Sequence, residues 1–263
     1  MKQKDAVKAI SQSLMKDELV KAIFLKGSMG RGEYDEYSDV DLYCLVDEED
    51  EELFLTRRLK HLETYRKILF YEDFFIIAPQ IIAVFDNLLH VDLYTVTEKS
   101  FKEKDYFHVL YDPEARLTKF QSTQNLILSL EEFSDCAYDV AWYLFQYNKA
   151  RQRGNDIWAV EMLQHVMVNF SKVLLHRYKP EKAQLGLKSL ESQLPPIQLD
   201  KVKIIFMYIT PNFHKKAVYN LINLMSDEIN WIESKVENDS QAVPFLKMMI
   251  NLLIQPEEEE KSS

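Results

Sequence analysis

The period of the hydrophobic pattern changes once along this chain, near residue 120, and that change limits the folds open to it. Before it, apolar residues come in short runs of strand length: Val20–Leu25, Val40–Val46, Phe74–Ala78, Ile81–Phe85, Leu89–Val96 and Phe107–Tyr111. Turn residues punctuate them, with Gly27-Ser28 after the first run, Pro79-Gln80 between the third and fourth, and Asp86-Asn87 before the fifth. Helical spacing appears here only at residues 2–16 (Ala6, Ile10, Leu14) and 48–64 (Leu53, Leu55, Leu59, Leu62). Beyond it the pattern is helical throughout. Residues 130–152 line up Phe133, Ala137, Val140, Ala141, Leu144 and Tyr147, and Gly154-Asn155 breaks that run. Residues 157–178 stop before Pro180, and further helices are expected over 198–208, 213–236 and 241–254, with a loop at Pro195-Pro196. The acidic tail EEEEKSS is expected to fray. These patterns predict an α+β protein: a mixed β-sheet with flanking helices over residues 1–118, then an all-helical bundle over 119–263.

Composition narrows the function. Hydrophobic residues make up 47% of the 263, enough for a real core in each part. Asp and Glu outnumber Lys and Arg by 42 to 32, and no basic run occurs, so no nucleic-acid partner is expected. Cys44 and Cys136 are isolated, which fits a reducing cytoplasm. The start of the chain lacks the continuous apolar stretch of a signal peptide, and no run reaches membrane-spanning length. A cytoplasmic protein with no membrane partner is expected. The six histidines show no ligand spacing; His61, His165 and His176 fall on helical patterns, and no zinc site is read from them.

The segment KGSMGRGEYDEYSDVDLY, Lys26–Tyr43, holds Gly27, Gly30 and Gly32 out of only five glycines. A glycine just after a strand lets backbone N–H groups approach a ligand, and Ser28 adds a hydroxyl, a combination suited to phosphate. Its ordinary reading is a tight turn. Asp39 and Asp41 are two apart on an expected strand, so their carboxylates share a face and repel unless a cation lies between them. Magnesium takes one or two such carboxylates together with substrate phosphates. The ordinary reading of this pair is a solvated edge strand.

Taken together, these pieces resemble the signature of the nucleotidyltransferase superfamily with a DNA polymerase β-like core. That pattern is an apolar strand, Gly-Ser or Gly-Gly, a gap of about ten residues, then Asp-apolar-Asp/Glu-apolar, met here by Gly27, Ser28, Arg31, Gly32, Glu33, Ser38, Asp39, Val40, Asp41 and Leu42. The resemblance implies a third acid on a later strand, for which Asp92 in Leu89–Tyr94 is chosen over Asp86, a turn residue. Ile82–Thr97 is similar to the corresponding region of lincosamide nucleotidyltransferases, with aminoglycoside adenylyltransferases the next type. The lincosamide branch often carries glutamates at the positions of Asp41 and Asp92, one methylene longer.

What the resemblance implies is transfer of a nucleoside monophosphate, AMP from ATP, to a hydroxyl of a small molecule, a lincosamide or aminoglycoside antibiotic among the choices. Two Mg²⁺ ions would sit on Asp39, Asp41 and Asp92, with Asp92 as ligand or general base. The backbone at Gly27, with Ser28 and Arg31, would hold the phosphates. Arg31 has an equal structural reading as the partner of Glu33 or Asp35. The helical half would close the cleft and bind the acceptor. Glu131, Asp135 and Asp139 form one acidic helix stripe, either a wall for a cationic acceptor or a solvated face. Lys149, Arg151 and Arg153 suit either phosphates or a helix C-terminus. Tyr138, Trp142 and Tyr143 are expected in the core. Other readings are a nucleotidylyltransferase acting on a protein or tRNA, of toxin–antitoxin type, and a non-catalytic nucleotide-binding protein. Apolar helices near the C-terminus allow a homodimer.

Overall fold

The computed structural model describes residues 1–101, 104–236 and 241–254. The tail expected to fray lies outside the described residues. The chain divides into two compact units, Met1–Asn125 and Leu126–Ser263.

The first unit is built on a six-stranded sheet. Its strands are β1 (Val20–Leu25), β2 (Val40–Val46), β3 (Ile68–Phe75), β4 (Pro79–Phe85), β5 (His90–Val96) and β6 (His108–Tyr111). They lie in the order β3-β4-β5-β2-β1-β6. All neighbours are antiparallel except β2 and β5, which run parallel with Val40 opposite Val91 and Asp41 opposite Asp92. The helices are α1 (Lys2–Leu14), the single turn α2 (Gly27–Gly30), α3 (Glu51–Leu55) and α4 (Arg58–Leu62).

Strand parity divides the core. Ala6, Ile10 and Leu14 of α1 pack with Ile23, Leu42, Cys44, Val91 and Leu93 on one face. The other face buries Ala22, Phe24, Tyr43, Leu45, Val96 and Phe101. On this second face Tyr43 stacks on Tyr94 at 4.3 Å and on Phe24 at 5.2 Å. Asp41 is two residues before Tyr43 and Asp92 two before Tyr94, so both acids extend this face.

Two expectations are corrected. The third strand runs over Ile68–Phe75 rather than Phe74–Ala78, and Pro79 opens β4 instead of ending a strand. β3 is an edge strand with most of its residues exposed, so Glu72 and Asp73 interrupt its apolar pattern without cost. Pro79, which lacks an N–H, is tolerated as the first residue of a strand. The single helix expected over 48–64 is two short ones. Thr56 donates its hydroxyl to the Leu53 carbonyl at 2.7 Å, and the chain turns there. The turn carries Arg58, 1% exposed, to the Asp73 carboxylate at 2.7 Å.

The second unit is helical: α5 (Leu130–Gln152), α6 (Asp156–Tyr178), α7 (Leu187–Gln193), α8 (Pro196–Met207), α9 (His214–Glu233) and α10 (Ala242–Leu253). Ser129 and Glu132 form a capping box at the start of α5. Gly154, at φ +66°, closes the turn after it, and Asn155 accepts from the Trp158 N–H at 3.2 Å to start α6. The core gathers Phe133, Leu144, Phe170, Leu221, Met225 and Leu246. Buried Glu228 is satisfied by Arg177 at 2.5 Å and Tyr178 at 2.8 Å. Tyr138 and Trp142 are exposed rather than in the core, while Tyr143 is partly buried against it. The long stretch 130–152 has more aromatics than its buried stripe has places. The sequence reading also lacked α7. Cys44 and Cys136 are free, buried thiols. No helix among the described residues is long and apolar enough to cross a membrane.

Candidate active site

β1 ends at Leu25, and the chain turns at once into the single helical turn α2. Gly27 sits at φ +58°, in the left-handed region. A Cβ there would lie 1.9 Å from Oδ2 of Asp41, so only glycine lets the turn and the carboxylate share this space. Gly30 is required for a different reason: its Cβ would meet the Leu25 carbonyl oxygen at 2.6 Å. The hydroxyl of Ser28 is buried with no hydrogen-bond partner. An orphaned donor in a glycine turn beside a carboxylate is what a phosphate site with a bridging cation needs.

The loop from Gly32 to Asp39 is held from below by α1. Fully buried Gln3 donates from Nε2 to the carbonyls of Asp35, Glu36 and Ser38 at 3.2, 3.0 and 2.9 Å. Ser38 Oγ donates to Asp35 at 3.0 Å and accepts from its N–H. These bonds, with the Tyr37 N–H first, hold the Asp35 carboxyl below its usual range. Asp35 is thus the organiser of the loop.

Asp39, Asp41 and Asp92 come to the same end of the sheet. The register places Asp41 opposite Asp92, and one residue earlier Asp39 precedes Val40 while His90 precedes Val91. Asp41 on β2, with Asp39 just before that strand, therefore lies alongside Asp92 and His90 of β5 at one end of the sheet. His90 Nε2 is 3.1 Å from Asp92 Oδ1, and its Nδ1 is 4.0 Å from Asp39 Oδ2. Asp39, His90 and Asp92 each offer a ligand atom within 4.8 Å of the others. The Asp92 side chain is 7% exposed and Asp39 is 49% exposed, so the array runs from the sheet interior to solvent. Gln80 on β4, buried, donates to Asp92 Oδ1 at 2.8 Å. The hydrogen bond to Asp92 raises the His90 pKa above the ordinary imidazole value, against burial, and the charges of Asp92, Asp39 and Asp41 add to it.

Arg31 bonds Glu33 through Nε at 3.1 Å and Asp105 through Nη1 at 2.6 Å, so its guanidinium is engaged by two carboxylates and not by Asp35. Asp86 forms a two-pronged pair with Arg66 at 2.5 and 3.3 Å beside its turn. In the helical unit, Asp139 has its pKa raised by burial and then by Asp135. Glu161 pairs with His165 at 3.3 Å.

The sequence reading missed His90 and Gln80. His90 shares the spacing of Asp39-x-Asp41, since His-x-Asp on a strand also puts both groups on one face, and that signal was open to use. Gln80 had none, because its place beside Asp92 depends on the β4–β5 register, which sets Gln80 opposite Tyr94 and Ile82 opposite Asp92.

A mixed sheet with a glycine turn and facing acids at one strand end is a frame for phosphoryl-group chemistry on nucleotides. The family model for the nucleotidyltransferase domain matches residues 4–112, nearly all of the first unit. Residues 4–112 are a nucleotidyltransferase domain, and the chain is a transferase enzyme. Among solved structures, the chain is similar to an aminoglycoside 6-adenyltransferase from Bacillus subtilis, at 12% identity over 97% of this chain and 99% of that one, with a TM-score of 0.40. It is also similar to a nucleotidyltransferase-like protein from Exiguobacterium sibiricum, at 12% identity over 95% and 89%, TM-score 0.39. A third is the Bradyrhizobium diazoefficiens CD-NTase CdnG in complex with GTP, at 11% identity over 96% and 84%, TM-score 0.29. No curated protein matches significantly.

Proposed function

We propose that this enzyme transfers a nucleoside monophosphate, AMP from ATP, to a hydroxyl of a small molecule, with two Mg²⁺ ions held by Asp39, Asp41 and Asp92. The observation that carries the reading is the pairing of Asp41 with Asp92 across parallel strands while Gly27 leaves room for the Asp41 carboxylate. The donor set fits the ions: hard carboxylate oxygens on one face, with an orphaned hydroxyl beside them.

Bound there, the ions would supply charge for the triphosphate and lower the pKa of the acceptor hydroxyl. The chain's own residues do the rest. Ser28 Oγ and the N–H groups of the α2 turn donate to the terminal phosphates and fix their orientation. Arg31, locked by Glu33 and Asp105, stiffens this turn, and a triphosphate would compete with those two carboxylates for its guanidinium. Asp92, held by Gln80, faces the acceptor side and takes the hydroxyl proton or orients the group that does. Attack on the α-phosphorus is in line, with pyrophosphate leaving, and catalysis is mostly positioning. On α5, the Glu131–Asp135–Asp139 stripe is a negative face suited to a cationic molecule such as an aminoglycoside.

The test incubates the protein with Mg²⁺, each NTP in turn and a panel of lincosamides and aminoglycosides, following pyrophosphate release and acceptor mass. A drug that gains a nucleotide mass, and fails to with Asp39→Asn, supports the reading. Mg-NTP binding without transfer to any small acceptor would replace it with a protein or tRNA acceptor, and absence of Mg-NTP binding would sink it.

A further inference from the structure

A carboxylate-only site would be indifferent to His90, yet the imidazole stands inside the acid array. Its Nε2 is 3.1 Å from Asp92 Oδ1. Two neighbouring donors on a six-coordinate ion with bonds of about 2.1–2.2 Å stand about 3.0–3.1 Å apart, and opposite donors about 4.2–4.4 Å apart. The His90–Asp92 pair already has the first spacing, and the whole Asp39, His90 and Asp92 group spans no more than 4.8 Å, so a small contraction would enclose an ion.

The surroundings support a built site. Asp92 Oδ1 accepts from Gln80 Nε2 at 2.8 Å, which fixes the carboxylate's rotation. Gln80 is 3% exposed, and the carbonyl oxygen of the same amide is buried without a partner. A buried orphaned acceptor next to this group is costly unless a water or hydroxyl donor fills the gap, and an ion's coordinated water is such a donor. The ordinary alternative is that His90 is only a charged neighbour neutralising two acids. That alternative explains the pairing but not the orphaned oxygen.

The geometry points to His90 as a ligand, with Asp39 and Asp92, of the metal ion nearest β5, giving a mixed nitrogen–oxygen site that favours a first-row transition ion over Mg²⁺. Imidazole nitrogen is a softer donor than carboxylate oxygen and adds affinity for transition ions while adding little for magnesium. The inference deepens the nucleotidyl-transfer reading and rests on it. Asp41, beside Gly27, would remain the hard-oxygen ligand for the ion that accompanies the triphosphate.

The experiment uses the full chain labelled with ¹⁵N, Mn²⁺ as the probe, and a non-hydrolysable ATP analogue. Pulsed EPR separates coupling to protein ¹⁵N from the nucleotide's own ¹⁴N. The expected result is an imidazole ¹⁵N coupling in the wild type that disappears in His90→Ala. Mn²⁺ affinity, from titration of the free-ion EPR signal, should fall about 10–100-fold in that variant. Mg²⁺ affinity, from competition, should fall several-fold less. Bound Mn²⁺ with no ¹⁵N coupling in the wild type overturns the inference even if the variant does not fold. An equal loss of both affinities in a folded variant overturns it as well. The two readings fail differently. Loss of Mn²⁺ binding in Asp39→Asn without ¹⁵N coupling in the wild type removes only His90. No nucleotide-dependent metal binding in the wild type removes the nucleotidyl-transfer reading and this inference with it.

Discussion

At the residue scale, the site tolerates little change because its atoms already fill the available space. Gly27→Ala would put a methyl 1.9 Å from Asp41 Oδ2 at a φ that side chains resist. The carboxylate must move by about an ångström, and a displacement of that size costs about a hundredfold in rate. Steady-state kinetics should show this as a loss in kcat, with protein that still folds. Asp92→Asn keeps the shape and the Gln80 contact but removes the charge. Turnover should drop at least a thousandfold while nucleotide affinity, measured by calorimetry, stays within several-fold. Retained turnover would show that Asp92 neither binds metal nor takes the proton. His90 was open to the same reasoning that found Asp39 and Asp41, because the x between His and Asp has the same meaning on a strand.

At the element scale, α1 serves the site from the opposite face of the sheet. Its Gln3 ties down three carbonyls of the loop that delivers Asp39. Gln3→Ala should lower kcat/KM about tenfold with only a few degrees of change in Tm, since most of α1's packing rests on Ala6, Ile10 and Leu14. An unchanged kcat/KM would mean the loop keeps its shape without that amide. In the helical unit, Asn155→Ala removes the cap of α6 and should cost about 1 kcal/mol, or roughly 2–4 °C in Tm, with kinetics untouched. Element positions followed from local pattern wherever both neighbours were core. β1, β2 and α5 match their expected limits, since buried apolar residues leave one reading. β3 did not, because an edge strand exposes most residues and carries little periodic signal. α3 and α4 did not, because Thr56, inside an otherwise helical pattern, turns its hydroxyl back to the Leu53 carbonyl, and the chain turns there.

For the whole molecule, the first unit is closed by charge as well as by its apolar core. Arg116, after β6, bonds Asp47 beyond β2 at 2.6 Å and Glu98 beyond β5 at 2.7 Å. Hydrogen bonding to Arg116 lowers the Asp47 pKa, and bonding to Lys119 and then Arg116 lowers that of Glu98. Both groups have folded pKa values below their unfolded ones. Their contribution is therefore complete above the ordinary carboxylate range and is lost as pH falls through the folded values. Urea unfolding should show Arg116→Ala less stable by about 1 kcal/mol at pH 7, with the difference shrinking toward pH 3. A difference that grows in acid would contradict the assignment. The sequence by itself determined the division into a sheet unit and a helical unit, because the period of burial is a local property. Strand parity, also local, gave the expectation that Asp39 and Asp41 share a face; Asp41 lies on β2 and Asp39 just before it. Only the tertiary structure decided that β2 runs parallel to β5 in a register that sets Asp41 opposite Asp92, that His90 stands among the acids, and that Gly27 makes room for a carboxylate. Those facts depend on contacts between residues far apart in the chain, and no local pattern specifies which strands will meet.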